Sequence, residues 1–104
     1  MDCKLEVAVH AHWSNNPPVY RLYVDDDMLT ERTFGWQSFQ FYILENILCS
    51  LDEGVHKLKL VNLDQTSRFD LENFTVNNKI ISKNSYGHSN NELTWQFTVD
   101  NKNI

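Results

Sequence analysis

A chain of 104 residues has room for one core and no second domain, which sets the expectation of a single domain over 1–104. A hydrophobic fraction of 41% and an aromatic fraction of 12% exclude a disordered chain. The net charge is −5 and the nine Lys and Arg are scattered, which excludes the basic stripe that nucleic acid requires and argues equally against an anionic membrane surface.

No apolar run approaches the roughly 18 residues needed to cross a bilayer. The start Met1-Asp2-Cys3-Lys4 lacks the basic end, apolar core and cleavage site of a secretory signal. The expected location is therefore the cytoplasm of the producing cell, or a virion if the chain is phage-encoded. Cys3 and Cys49 are expected there as two thiols, with a disulfide between them as the alternative.

The dominant period is two. In Lys4–Trp13, Leu5, Val7, Val9, Ala11 and Trp13 alternate with Lys4, Glu6, Ala8, His10 and His12, the pattern of a strand with one apolar and one wetter face. Ser14–Pro18 reads as a loop, since its prolines remove donors and push the preceding residue out of the helical region. Val19–Val24 has the Tyr and Val content of a strand. Asp25-Asp26-Asp27 makes a polar turn and Met28–Phe34 returns antiparallel.

Phe39–Leu51 is apolar on both phases, with Phe39, Phe41, Ile43 and Ile47 on one and Tyr42, Leu44 and Leu48 on the other. A long strand bulged near Glu45-Asn46 is favoured over a helix. An apolar second face needs covering, which makes a second copy of the chain a candidate partner. Asp52-Glu53-Gly54 is a turn and Val55–Leu63 a strand with His56, Leu58 and Leu60 on one face. Arg68–Val76 is a further strand, Asn77-Asn78 a tight turn suited to positive φ, and Lys79–Lys83 a short return. Asn84–Asn91 reads as a polar loop. Leu93, Trp95, Phe97 and Val99 then alternate with Thr94, Gln96, Thr98 and Asp100 in the cleanest half-buried strand of the chain. About eight short strands separated by turns predict an all-β, jelly-roll-like β-sandwich of two antiparallel sheets.

Catalytic signals are absent from the sequence: there is no G-x-S-x-G elbow, no activated-cysteine motif and no phosphate-cradling glycine loop. A non-catalytic binding protein is expected. Aromatic side chains are the remaining resource, because a flat ring stacks on a sugar while amides and carboxylates bond its hydroxyls. Trp36 and Tyr86, in the bends Phe34-Gly35-Trp36 and Ser85-Tyr86-Gly87, are the leading ligand-binding candidates, with Tyr23 beside them. Trp13 and Trp95 lie in phase with apolar neighbours and read as core. His10-x-His12, with Glu6 on the same face, is a candidate metal pair, although two ordinary histidines on a wetter face are the favoured explanation. Glu45 interrupts an apolar run and is expected to bond backbone or an arginine such as Arg32.

Leu60-Val61-Asn62-Leu63-Asp64, Arg68-Phe69-Asp70-Leu71 and Val76-Asn77-Asn78, with Leu22-Tyr23-Val24-Asp25-Asp26 upstream, resemble the calcium-dependent xylan-binding modules, which are small jelly rolls. Leu51-Asp52-Glu53-Gly54-Val55-His56 resembles the Leu-x-x-Gly-x-His connection of many carbohydrate-binding modules. The resemblance covers about half the chain and implies a glycan partner, with Asn62 and Asp64 as ligand-binding positions and Asp64 as a calcium ligand. No aspartate precedes Arg68, where that family has another calcium ligand, so the expectation is no cofactor. Val19–Asp25, Thr30–Trp36 and Ile43–His56 also resemble small proteins of tailed phages that infect marine cyanobacteria. That likeness implies a capsid decoration or tail-associated domain with virion proteins as partners.

Overall fold

The structure, a computed structural model, describes residues 2–13, 15–36, 42–64, 66–89 and 91–100. Nine strands run in chain order: β1 Asp2–His12, β2 Val19–Val24, β3 Asp27–Thr33, β4 Ile43–Ser50, β5 Gly54–Asn62, β6 Arg68–Val76, β7 Lys79–Ile80, β8 Tyr86–Ser89 and β9 Glu92–Val99, with one 3-10 turn at Lys83–Ser85. They form two antiparallel sheets, ordered β4-β1-β6-β7 and β3-β2-β5-β9-β8. Only β2–β3, β6–β7 and β8–β9 join as hairpins within a sheet. Every other connection crosses between the sheets, so the chain winds as a jelly-roll-like β-sandwich.

The alternating residues meet where the period placed them. Leu5, Val7 and Val9 of β1 face Leu22 of β2, Leu58 and Leu60 of β5, and Leu93, Trp95 and Phe97 of β9 in one buried cluster. Edge-to-face aromatic pairs stitch the layers together: Tyr20 on Phe69 at 5.3 Å and Phe74 on both Trp95 (5.3 Å) and Phe97 (5.2 Å). Full burial of each such side chain contributes about 1.5–3 kcal/mol, which makes this cluster the main stabilising term. Trp95 is core, as its phase implied, while Trp13 is partly buried against the cluster and donates its indole N–H to the Trp36 carbonyl at 2.9 Å.

Three expectations need correction. The bulge expected near Glu45-Asn46 does not form: β4 pairs with β1 residue for residue from Ile43↔Val9 to Ser50↔Asp2. Bulges lie instead in β3, where the register with β2 shifts between Leu22 and Tyr23, and in β6, where Asn73 and Phe74 together oppose Val7 and Asn73 adopts φ 54. That extra residue shifts the alternation by one, so Phe69 and Leu71 before it and Phe74 and Val76 after it all face the core. Asn84–Asn91 is not one loop: Tyr86–Ser89 forms β8 on the edge of the larger sheet. Lys79–Lys83 is strand only over Lys79–Ile80, because the chain then turns away to cross the sandwich. The strand expected over Phe39–Leu51 is present as Ile43–Ser50; Phe39 and Phe41, like Ser14, lie outside the described residues. Among the described residues no helix is long and apolar enough to cross a membrane.

Candidate functional site

The short β7 shapes the site. It pairs only with Thr75 and Val76, so among the described residues Arg68–Glu72 of β6 have no strand on that side. An open sheet edge leaves donors unsatisfied. Tyr86 of β8 reaches over from the other sheet to supply the missing partner: its hydroxyl accepts the Leu71 N–H at 3.0 Å and donates to Asp70 Oδ1 at 2.8 Å. Its ring packs on Trp95 at 4.8 Å, and the Lys83 ammonium lies 5.1 Å from its centroid.

Above this latch the two sheets stay apart and leave a cleft. One part, about 550 Å³, is lined by His12, Arg68, Phe69, Asp70, Lys83, Tyr86 and His88. A smaller part of about 210 Å³ shares Arg68, Phe69 and His88 with it and continues to Asn62, Asn91 and Glu92. His12 and Arg68 are register partners on β1 and β6 and form one wall, while Tyr86 and His88, with rings 5.2 Å apart, form the other. The volume of the larger part lies within the roughly 300–1,000 Å³ range of small-ligand sites.

Electrostatics fix the roles of these groups. Burial pushes the Tyr86 phenol well above its usual value and the Asp70 hydrogen bond adds to this, so Tyr86 is a donor and not a phenolate. For Asp70, burial pushes upward, but the Tyr86 hydrogen bond, the Lys83 charge and the Leu71 N–H outweigh it and hold the carboxyl below its ordinary range. Lys83 pairs with Glu72 at 2.7 Å. Arg68 has no ion-pair partner among the described residues, so its planar, five-donor fork faces the cleft uncommitted.

Of the residues singled out from sequence, Tyr86, His12 and Asn62 come together along this cleft. Asn62 also organises the loop beyond β5: its Nδ2 donates to the Ser67 carbonyl (3.1 Å), and its Oδ1 accepts from the Asp64 N–H (2.8 Å). Asp64 points to the far side of that loop. Its Oδ1 accepts from the Thr66 N–H (3.0 Å) and hydroxyl (2.9 Å), and it borders an open groove with Asn15, Asn16 and the Arg21–Glu31 ion pair. Trp36 is 50% exposed near the same end of the sandwich, where Phe34 N–H bonds the Pro18 carbonyl. Tyr23 is remote, on the outer face of the larger sheet under the Lys59 ammonium. His10 packs on the Tyr42 ring at 5.4 Å. Among the described residues no three His, Cys, Asp or Glu side chains are grouped to hold a metal ion.

In the sequence Arg68 and Asp70 figure only within a stretch resembling xylan-binding modules, and neither they nor Lys83 and His88 stand out as site residues. Arg68 and Asp70 alternate with buried Phe69 and Leu71, a signal that marks them as outward-facing but not as cleft-lining. Only the two-residue length of β7 uncovers them, and no local pattern encodes that length. Comparison with protein-family models, curated proteins and solved structures finds no match to the chain.

Proposed function

We propose that this chain is a non-catalytic carbohydrate-binding domain whose glycan lies in the cleft between β6 and β8. The observation that carries the reading is the uncommitted Arg68 guanidinium set among His12, His88, Asp70 and Tyr86 in an open cleft. Donors and acceptors at fixed positions match sugar hydroxyls, and the imidazole rings of His12 and His88 line the cleft where a pyranose would pack. The cleft opens onto solvent and continues toward Asn62, which suits one stretch of a longer polysaccharide. The cysteines do not favour a catalytic reading: Cys49 lies directly opposite Cys3 as a thiol, and burial first and Cys3 second push its thiol up, away from a nucleophilic thiolate.

Trp95 sits directly under Tyr86, so occupancy of the cleft should alter tryptophan emission. Titration with soluble xylans and β-glucans is expected to give a saturable change. Arg68→Ala should weaken it at least ~10-fold, the loss of a charge-assisted hydrogen-bond donor being worth about 1.5–3 kcal/mol. Tyr23→Ala should leave it unchanged. Absence of binding across the panel, or binding indifferent to Arg68→Ala, would overturn the proposal.

A further inference from the structure

Among the described residues the sandwich has four edge strands, and three of them are guarded. β3 carries Asp27, Glu31 and Arg32; β7 is two residues long and begins with Lys79; β8 is four residues long. Short length and edge charges are the devices that stop sheets from adding strands. β4 has neither. It is eight residues long, pairs among the described residues on one side only, with β1, and its single charged residue, Glu45, turns inward onto Tyr20 and Arg32. Its outward row is uncharged and largely apolar: Tyr42 just before the strand is 52% exposed, Leu44 49% and Leu48 83%, with Asn46 between the two leucines.

We infer that β4 is a dimerisation edge, on which a second copy of this chain lays its own β4 antiparallel about a two-fold axis at Asn46. The row is self-complementary about that point. Asn46 faces Asn46, and a side-chain amide carries both donor and acceptor. Leu44 of each copy faces Leu48 of the other, and Tyr42 faces Ser50, at the ~4.5–5.5 Å spacing of directly opposed residues. An unpaired row of backbone N–H and C=O groups calls for a strand as its occupant, not a helix. The net charge of −5 on each copy opposes association, so contact is least costly along an edge whose outward side chains are uncharged. Eight residues a side is fewer than the roughly 20–30 of a standard interface, so the dimer dissociates on dilution.

Sedimentation velocity and native mass measured from ~1 μM to ~1 mM test this. The mass should rise from 12.3 kDa toward twice that value, and β4 amides should exchange more slowly as concentration rises. Leu48→Lys, at a position too exposed to disturb the core, should weaken association at least ~10-fold by placing a charge on the edge. Ile80→Lys, at an exposed apolar residue of β7, should leave association unchanged. A constant 12.3 kDa across the range, dimerisation of Leu48→Lys equal to that of the unsubstituted chain, or its loss in Ile80→Lys would each overturn the inference.

Discussion

A carboxylate in an apolar run must be neutralised where it lies. Glu45 is 5% exposed, and its Oε2 accepts from the Tyr20 hydroxyl at 2.7 Å and Arg32 Nε at 2.8 Å, while its Oε1 accepts from the second Arg32 nitrogen at 3.0 Å. Burial first, and Glu45 second, keep the Tyr20 phenol protonated as a donor. Glu45→Gln should therefore lower stability by about 2 kcal/mol, less than for a fully buried pair because Arg32 is half-exposed. Urea unfolding would show a lower midpoint at unchanged slope. His56 gives a second test. Its Nδ1 lies 2.7 Å from Asp25 Oδ2 and its Nε2 2.6 Å from the Asp52 carbonyl, so both nitrogens donate and the imidazolium is favoured. Burial pulls its pKa down, but Asp25 and Asp52 raise it above 6.5. Asp25 is held below 3.8 against its own burial by His56 and the Lys57 N–H. The His56 contribution is complete below about pH 6.5 and is lost as pH rises through the raised value, while that of Asp25 is present above about pH 4 and is lost on acidification. Thermal melts should accordingly show His56→Gln most destabilised near pH 5–6 and approaching the unsubstituted chain near pH 9.

Elements with strict alternation were legible, and β2 and the bulged β6 also occupy the residues expected of them. What escaped was governed by neighbours. β8 is polar because it is an exposed edge strand, so Tyr86–Ser89 carries too little apolar signal to separate it from a loop. The double apolar phase of β4 pointed to a strand, but its outward row reflects an uncovered edge and not a bulge. The Asn77-Asn78 turn was visible from composition, and both residues adopt positive φ, 50 and 68. Asn77 does more than turn: its Oδ1 accepts the Lys4 N–H at 2.9 Å and its own N–H bonds the Lys4 carbonyl at 2.8 Å, tying the hairpin to β1. Asn77→Gly should cost about 1 kcal/mol for the lost side-chain bond, and Asn77→Ala about 2 kcal/mol because the left-handed backbone cost is added. Equal losses in the two variants, measured by denaturant unfolding, would remove the backbone term from this account.

At the scale of the molecule, the two sides of the sandwich are closed differently. On the β3–β4 side, Arg32 and Glu45 link one sheet to the other across the core. On the β6–β8 side Tyr86 does so through Asp70 and the Leu71 N–H, and above it the cleft remains. The sandwich itself followed from period-two patterning, whereas its open side depends on strand pairing that sequence alone does not display. Tyr86 accordingly lies at the cleft for a reason other than the one that drew attention to it: it is a strand residue that seals an edge, and its neighbours Arg68 and His88 offer the uncommitted groups. The most direct test of a glycan site there is a two-dimensional amide NMR titration with xylo- and cello-oligosaccharides. Shifts are expected to concentrate at Arg68, Asp70, Tyr86 and His88, with Tyr23 and Lys59 silent. Shifts centred on the outer face around Tyr23, or none with any oligosaccharide, would contradict the proposed site.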